Sequence, residues 1–239
     1  ALPSPIAPKF FTSAMHGIMT FPARNATKAL QKWAVAKTLA ASMKKTALVL
    51  LSLLTISVMA ADWPTYRHDI KRTALSAEAM PAKVFPQWTF VPRHAPKTAW
   101  PLPSEETPRM HSDRALHVIV AGRTAYFGHS VDDNVYALDT HTGATKWTFR
   151  AEGPVRFAPV FDRGNIYFGS DDGYVYCLNA TDGKVIWRYR PSPANERVIG
   201  NGRMISLWPI RTGLLVEQGL VYLAAGVFPY EGLYIAAVD

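Results

Sequence analysis

The chain has 239 residues, 49% hydrophobic and 18% charged, a composition that supports a packed core and excludes an intrinsically disordered chain. Its formal net charge is +8, yet seven of the 26 basic residues (Lys9, Arg24, Lys28, Lys32, Lys37, Lys44, Lys45) precede residue 46, and residues 1–60 contain no Asp or Glu. The remainder therefore carries 19 basic against 18 acidic groups, and because a nucleic-acid-binding domain keeps its basic excess on the folded part, the charge argues against a nucleic-acid partner.

In chain order, residues 1–42 lack acidic groups and stand upstream of Met43, so they are expected to be a non-native or disordered leader. Met43-Lys44-Lys45 then gives a short basic start, and 46–60 is an apolar run too short to span a bilayer comfortably. Val58-Met59-Ala60 places small or apolar residues where a signal peptidase reads them. The pattern predicts a helical secretory signal over 43–60, with 61–239 as an exported body, periplasmic or extracellular. The alternative is anchoring through an uncleaved signal. Membrane contact is otherwise expected only transiently, through this segment.

After residue 60, helix-period apolar patterns are nearly absent, while Val, Tyr, Phe and Trp stand beside Gly and Asp, which predicts an all-β body. Cys177 is the one cysteine, so no internal disulfide forms. Its apolar strand setting reads as a small core residue rather than a reactive thiol.

That body repeats. A trace at Phe85-Pro86-Gln87-Trp88-Thr89-Phe90 is followed by a copy running Tyr126-Phe127-Gly128, Val135-Tyr136-Ala137-Leu138-Asp139, Gly143 and Trp147. The next runs Tyr167-Phe168-Gly169, Val175-Tyr176-Cys177-Leu178-Asn179, Gly183 and Trp187, so that Asp139/Asn179, Gly143/Gly183 and Trp147/Trp187 are each 40 residues apart. A third begins at Tyr222-Leu223-Ala224 and continues through Leu233-Tyr234-Ile235-Ala236-Ala237-Val238-Asp239. Asp132-Asp133-Asn134 and Asp171-Asp172-Gly173 lead straight into Val-Tyr strands and read as hairpin turns. They suggest calcium loops as well, but the remaining ligand positions and closing Glu of such a loop are missing. Three or four short strands per copy, punctuated by Gly and aromatics, predict an incomplete β-propeller of four-stranded antiparallel blades, each needing a neighbour on both faces.

Ala137-Leu138-Asp139-Thr140-His141-Thr142-Gly143-Ala144-Thr145-Lys146-Trp147 resembles the tryptophan-docking motif of pyrroloquinoline-quinone (PQQ)-type propeller repeats, and Asp62-Trp63-Pro64-Thr65-Tyr66-Arg67-His68-Asp69 looks like the segment that opens such propellers. The resemblance implies that each Trp packs between adjacent blades while Asp and Thr pin the turn. Asp139, Gly143 and Trp147, with Asn179, Gly183 and Trp187, are the docking positions it assigns. Closed propellers of this kind need roughly seven or eight blades. Residues 61–239 supply at most about four at this period, so a fragment cut in mid-blade is expected.

The repeat departs from itself in two places. Between Trp187 and Tyr222 lie about fifteen more residues than between Trp147 and Tyr167, and 227–232 enlarges the last hairpin. Such insertions carry function or merely decorate a rim. Arg156 and Arg211 each stand eleven residues before the strand tyrosine of their copy, and Arg114 stands twelve before Tyr126. A ring of guanidinium groups at a channel mouth, binding a carboxylate or phosphate, is one reading of Arg114, Arg156 and Arg211. Pairing with acidic or aromatic neighbours is the other. His111, Asp113 and His117 suggest a metal or acid–base site, but nothing completes a ligand set of recognised spacing. No catalytic or metal-binding residue is therefore assigned.

The expectation is an exported, non-catalytic scaffold that binds a protein or an anionic small molecule, without a cofactor. One alternative is part of a quinoprotein alcohol or sugar dehydrogenase, with PQQ and calcium held only if further blades supply the site. Another is a sensor or presenting module fused to an enzyme beyond Asp239.

Overall fold

The computed structural model describes residues 61–100, 113–200 and 202–239. All of them belong to one compact unit, 59–239. The leader 1–42, the signal segment 43–60 and His111 lie outside the described residues.

Two complete four-stranded antiparallel sheets follow one another. The first consists of β1 (Ile119–Ala121), β2 (Thr124–Gly128), β3 (Asn134–Asp139) and β4 (Thr145–Arg150). The second consists of β5 (Val160–Asp162), β6 (Asn165–Gly169), β7 (Val175–Asn179) and β8 (Val185–Tyr189). After them come a two-stranded hairpin, β9 (Arg197–Gly200) and β10 (Arg203–Ser206), and three strands of a further sheet, β11 (Leu215–Glu217), β12 (Leu220–Ala225) and β13 (Tyr234–Val238). Strand order is sequential throughout, and the register repeats with the sequence. Tyr136 pairs with Phe127 and Thr148, and Tyr176 with Phe168 and Arg188. Even the irregularity recurs, at Ala137/Leu138 and again at Cys177/Leu178.

Why these sheets stack follows from strand alternation. In the second sheet, Ile166, Phe168, Tyr176 and Leu178 join Ile119, Tyr126, Val135, Ala137 and Trp147 of the first in one core. The residues between them, Tyr167, Val175 and Cys177, join Ile210, Leu214, Val221 and Leu223 in a second core towards the third sheet. Successive side chains of a strand point to opposite faces, so β6 and β7 are apolar on both and nearly continuous runs of buried residues. Fully burying a side chain such as Phe168 contributes about 1.5–3 kcal/mol. A sheet apolar on both faces has to lie between two others, and the architecture is that of an incomplete β-propeller with the sheets as blades.

Close backbone approach sets the spacing between blades. A Cβ on Gly128 would lie 2.3 Å from Val155, and one on Gly169 would lie 2.3 Å from Ile210. Glycine at the end of β2 and of β6 thus lets the chain leading into the next blade pass directly over it. The residues that follow at these crossings are Arg156 and Arg211.

The opening segment ties blades together. Trp63 bridges to Val120 of β1, the Phe161 N–H of β5 donates to the Pro64 carbonyl at 2.8 Å, and Arg72 donates to the Gly213 carbonyl ahead of β11 at 3.2 Å.

Candidate functional site

Of the three repeated arginines, the fold brings two to one carboxylate. Arg156 leads into β5 and Arg211 into β11, four residues ahead of each strand. Asp171, in the β6–β7 turn and fully buried, accepts Arg156 Nε at 2.7 Å, Arg211 Nε at 2.9 Å and Arg211 Nη2 at 3.0 Å. Arg156 Nη1 also donates to Asp113 at 3.0 Å and to the Lys97 carbonyl at 2.7 Å, and the Ala99 N–H donates to the same Asp113 oxygen at 2.8 Å. The outcome is a line of alternating charge, Asp113–Arg156–Asp171–Arg211, tying the lead-ins of successive blades. Removing one member of such a buried set strands its partner and costs about 3–5 kcal/mol.

Arg114 does not reach this line. It is exposed and lines a separate cavity with His94, Lys97 and Val131. Val131 explains the difference, because it stands 40 residues before Asp171. The first copy therefore has an aliphatic side chain where the second has the carboxylate that gathers arginines.

Beside the ion line the surface opens into two adjoining cavities. A polar cleft of about 270 Å³ is lined by Trp100, Asp113, Arg156, Phe157 and Arg211. An apolar chamber of about 320 Å³ is lined mainly by Trp100, Val198, Ile199, Ile205, Leu207 and Phe228, with Arg211 on its wall. The two share Ala99, Trp100, Arg211 and Val227. The Arg211 guanidinium carbon lies 5.6 Å from the centre of the Trp100 ring, and Phe228 meets that ring edge-on at 5.9 Å. Both expansions of the repeat thus converge here, with β9–β10 forming one wall and the 227–232 loop another.

The hairpin is held by ion pairs to earlier blades. Arg203 of β10 forks onto both oxygens of Asp133 and donates to the Val131 carbonyl at 2.8 Å. Burial pushes the Asp133 carboxyl up against the opposing pull of Arg203. Arg197 of β9 donates to Glu152 at 2.7 Å, and Arg188 donates to the same carboxylate at 3.3 Å. The bond from Arg197, joined by that from Arg188, holds Glu152 below the usual carboxylate range.

The six docking positions lie apart from these cavities, at the β3–β4 and β7–β8 turns and on β4 and β8. Trp147 donates from Nε1 to the Ala180 carbonyl at 2.9 Å, and its ring covers Gly183, where a Cβ would come within 2.7 Å. Trp88 does the same one copy earlier, donating to the Thr140 carbonyl at 2.9 Å and covering Gly143, although 85–90 forms no strand. Trp187 is half-buried against the second core. Asp139 accepts the N–H groups of His141 and Thr142, whereas Asn179 accepts only that of Thr181. The bonds from Thr142 and then His141, with Arg123 and Lys146 alongside, bring the Asp139 carboxyl down to about 2.

The suggested metal and calcium residues have other partners. Asp113 is occupied by Arg156 and Ala99, and the His117 ring lies parallel to Phe157 with centres 6.3 Å apart. Asp132 and Asp172 accept the hydroxyls of Tyr136 and Tyr176 and the N–H two residues on, as hairpin-turn caps. Among the described residues no group of three or more His, Cys, Asp or Glu is placed to hold a metal ion. Calcium takes six to eight oxygen ligands, so the described residues do not by themselves fit a calcium-bound quinone. The cleft offers an indole face and two guanidinium groups, but no such oxygen set.

Sequence reasoning read Asp171 only as part of a hairpin turn and did not single out Trp100 or Arg203. The hairpin was legible in Val198-Ile199-Gly200-Asn201-Gly202-Arg203-Met204-Ile205, two apolar pairs flanking a Gly-Asn-Gly turn.

Stacked four-stranded blades, a 40-residue period and indole-on-glycine contacts at successive turns define a PQQ-like repeat β-propeller. The family model described as outer membrane protein assembly factor BamB matches residues 87–226, more than half of the chain, and the chain belongs to that family. Among curated proteins, tetrathionate hydrolase of Acidithiobacillus ferrooxidans is 26% identical over 98 residues, which are 41% of this chain and 17% of that protein. The chain thus matches less than a fifth of that relative's length. Similar solved structures include BamB from Moraxella catarrhalis, with 24% identity, TM-score 0.41, and coverage of 51% of this chain and 36% of that one. Quinohemoprotein alcohol dehydrogenase from Comamonas testosteroni is 19% identical with TM-score 0.46, over 77% of this chain and 26% of that one.

Proposed function

We propose that the protein is an exported, non-catalytic propeller scaffold that binds a polypeptide on the face built by its two expansions. The observation that carries this reading is their convergence. The β9–β10 hairpin and the 227–232 loop, both expansions of the 40-residue repeat, meet at one place and leave apolar side chains exposed there, with Ile199 77% and Tyr230 80% accessible and Met204 and Phe228 exposed beside them. Clustered exposed apolar groups rimmed by charge mark interaction surfaces. The signal-like 43–60 segment supports export, and the family's description as an assembly factor for outer membrane proteins supports a polypeptide partner. The six docking positions are scaffold in this reading.

A photo-crosslinking residue placed at Ile199 or Tyr230 of the full-length exported protein is expected to trap one and the same polypeptide at both positions, and none from His141 on the distant β3–β4 turn. Equal trapping at all three positions, or at none, refutes the assignment of the face. Dye-linked alcohol oxidation by the purified protein after addition of PQQ and calcium would overturn the non-catalytic part.

A further inference from the structure

We propose that the chamber and cleft together bind an amphiphilic monocarboxylate, with its apolar body in the chamber and its carboxylate on the spare edges of Arg211 and Arg156. This goes beyond the scaffold reading, because it concerns a small ligand beneath the exposed face and holds whether or not a polypeptide docks above it.

Three features carry the assignment. The first is shape and lining: a concave space of about 320 Å³, walled mainly by Trp100, Val198, Ile205, Leu207 and Phe228, with Ser206 and Arg211 as its polar side chains, has the character of a small-molecule site. The second is unspent hydrogen-bonding capacity. Arg211 donates from Nε and Nη2 to Asp171, and Arg156 from Nε and Nη1 to Asp171, Asp113 and the Lys97 carbonyl. Neither Arg211 Nη1 nor Arg156 Nη2 has a partner among the described residues, and neither is sealed from the cleft that both side chains line. A guanidinium edge matches a planar carboxylate, and these two are held rigid by the acids behind them, so little rotamer freedom is lost on binding.

The third is the sign of the surroundings. Asp171 accepts from behind and does not line either cavity. Among the described residues, the charged side chains that line the cleft and the chamber are Arg156 and Arg211 against Asp113. A low-dielectric wall beside that excess favours an anionic head over a neutral one.

The test is calorimetric titration of the full-length protein with hexanoate, octanoate and decanoate below their micellar concentrations, with octanol and octanamide as headgroup controls. Each added methylene is expected to tighten binding about fourfold, the equivalent of about 0.8 kcal/mol, until the chamber is filled. Octanoate is expected to bind at least tenfold more tightly than octanol. Ile199→Asp, an exposed substitution at the chamber wall that leaves the ion line intact, is expected to weaken octanoate at least tenfold with an unchanged melting temperature. Arg211→Gln is expected to remove the preference for octanoate over octanol. Absence of saturable octanoate binding, equal affinity for octanol, or indifference to Ile199→Asp in a folded variant would each overturn the proposal. Polypeptide trapping at Tyr230 reports separately on the scaffold reading.

Discussion

If the indole of one blade fixes its distance from the next, a single methyl group on Gly183 must act through Trp147. Gly183 has φ +71°, and a Cβ there would lie 2.7 Å from Trp147 Cδ2 and Cε3. Gly164 offers a matched control, with φ +83° and nothing within 4 Å of the added carbon. Replacement by Ala strains the backbone at both sites by about 1–2 kcal/mol. At Gly183 the ring must also move. That breaks the 2.9 Å bond to the Ala180 carbonyl, worth about 1 kcal/mol, and overpacks a close-fitted seam at about 1–3 kcal/mol. The excess of Gly183→Ala over Gly164→Ala is therefore about 2–4 kcal/mol, which in a chain of this size lowers the melting temperature by on the order of 10 °C. Thermal denaturation of the two variants beside the wild type measures it. In a Trp147→Ala background the Gly183→Ala effect is expected to shrink to that of Gly164→Ala. Equal losses from the two glycine variants, or strict additivity with Trp147→Ala, would refute the reasoning.

Other expectations concern the hairpin, the docking turn and the thiol. Arg203→Met removes the fork onto Asp133 and should speed hydrogen exchange of the 197–206 amides roughly tenfold while the β6 and β7 amides stay protected; unchanged exchange in the hairpin would show that this pair does not hold it. The Asp139 carboxyl, at about 2 when folded, lies below its unfolded value of about 3.9, so its contribution is present above pH ~4 and lost as pH falls towards 2. Asp139→Asn should flatten melting temperature against pH across that window, and an unaltered slope counts against the turn bonds. Cys177 is buried to 1% exposure and burial pushes its thiol up, so Ellman's reagent should react with it only on unfolding; rapid stoichiometric labelling of the native protein would contradict that placement.

The blades were legible because their determinants are local and recur. Tyr-Phe-Gly ends a strand whose glycine the next blade crosses, Asp-Asp or Asp-Gly turns the hairpin, and Gly and Trp fall 40 residues from their counterparts. Trp88 was visible as a trace for the same reason, and its seat on Gly143 follows the pattern of Trp147 on Gly183. The candidate site was harder to read. Arg156 and Arg211 could be found by spacing, but Asp171, 15 residues from one and 40 from the other, looks locally like part of a turn. Trp100 lies outside the repeat altogether, and contacts such as Arg203 to Asp133 join residues 70 apart. Local pattern carries no information about such pairings.

The comparison of Arg114 with Arg156 shows how a repeat becomes specific. Both arginines precede the first strand of their blade, and repetition alone would give each the same surroundings. One position in the following hairpin turn separates them, Val131 in the first copy and Asp171 in the second. With the carboxylate present, two guanidinium groups are drawn from successive lead-ins to a single buried acid, and their outer edges are fixed at the border of the polar cleft and the apolar chamber. With valine present, the arginine remains exposed. The insertion that supplies β9 and β10 follows the blade that carries Asp171, and its Arg203 returns to Asp133 in the turn where Val131 stands in place of that aspartate. The exchange of valine for aspartate and the inserted hairpin therefore act on the same place, which sets it apart from the equally well-formed turns around Gly143 and Gly183.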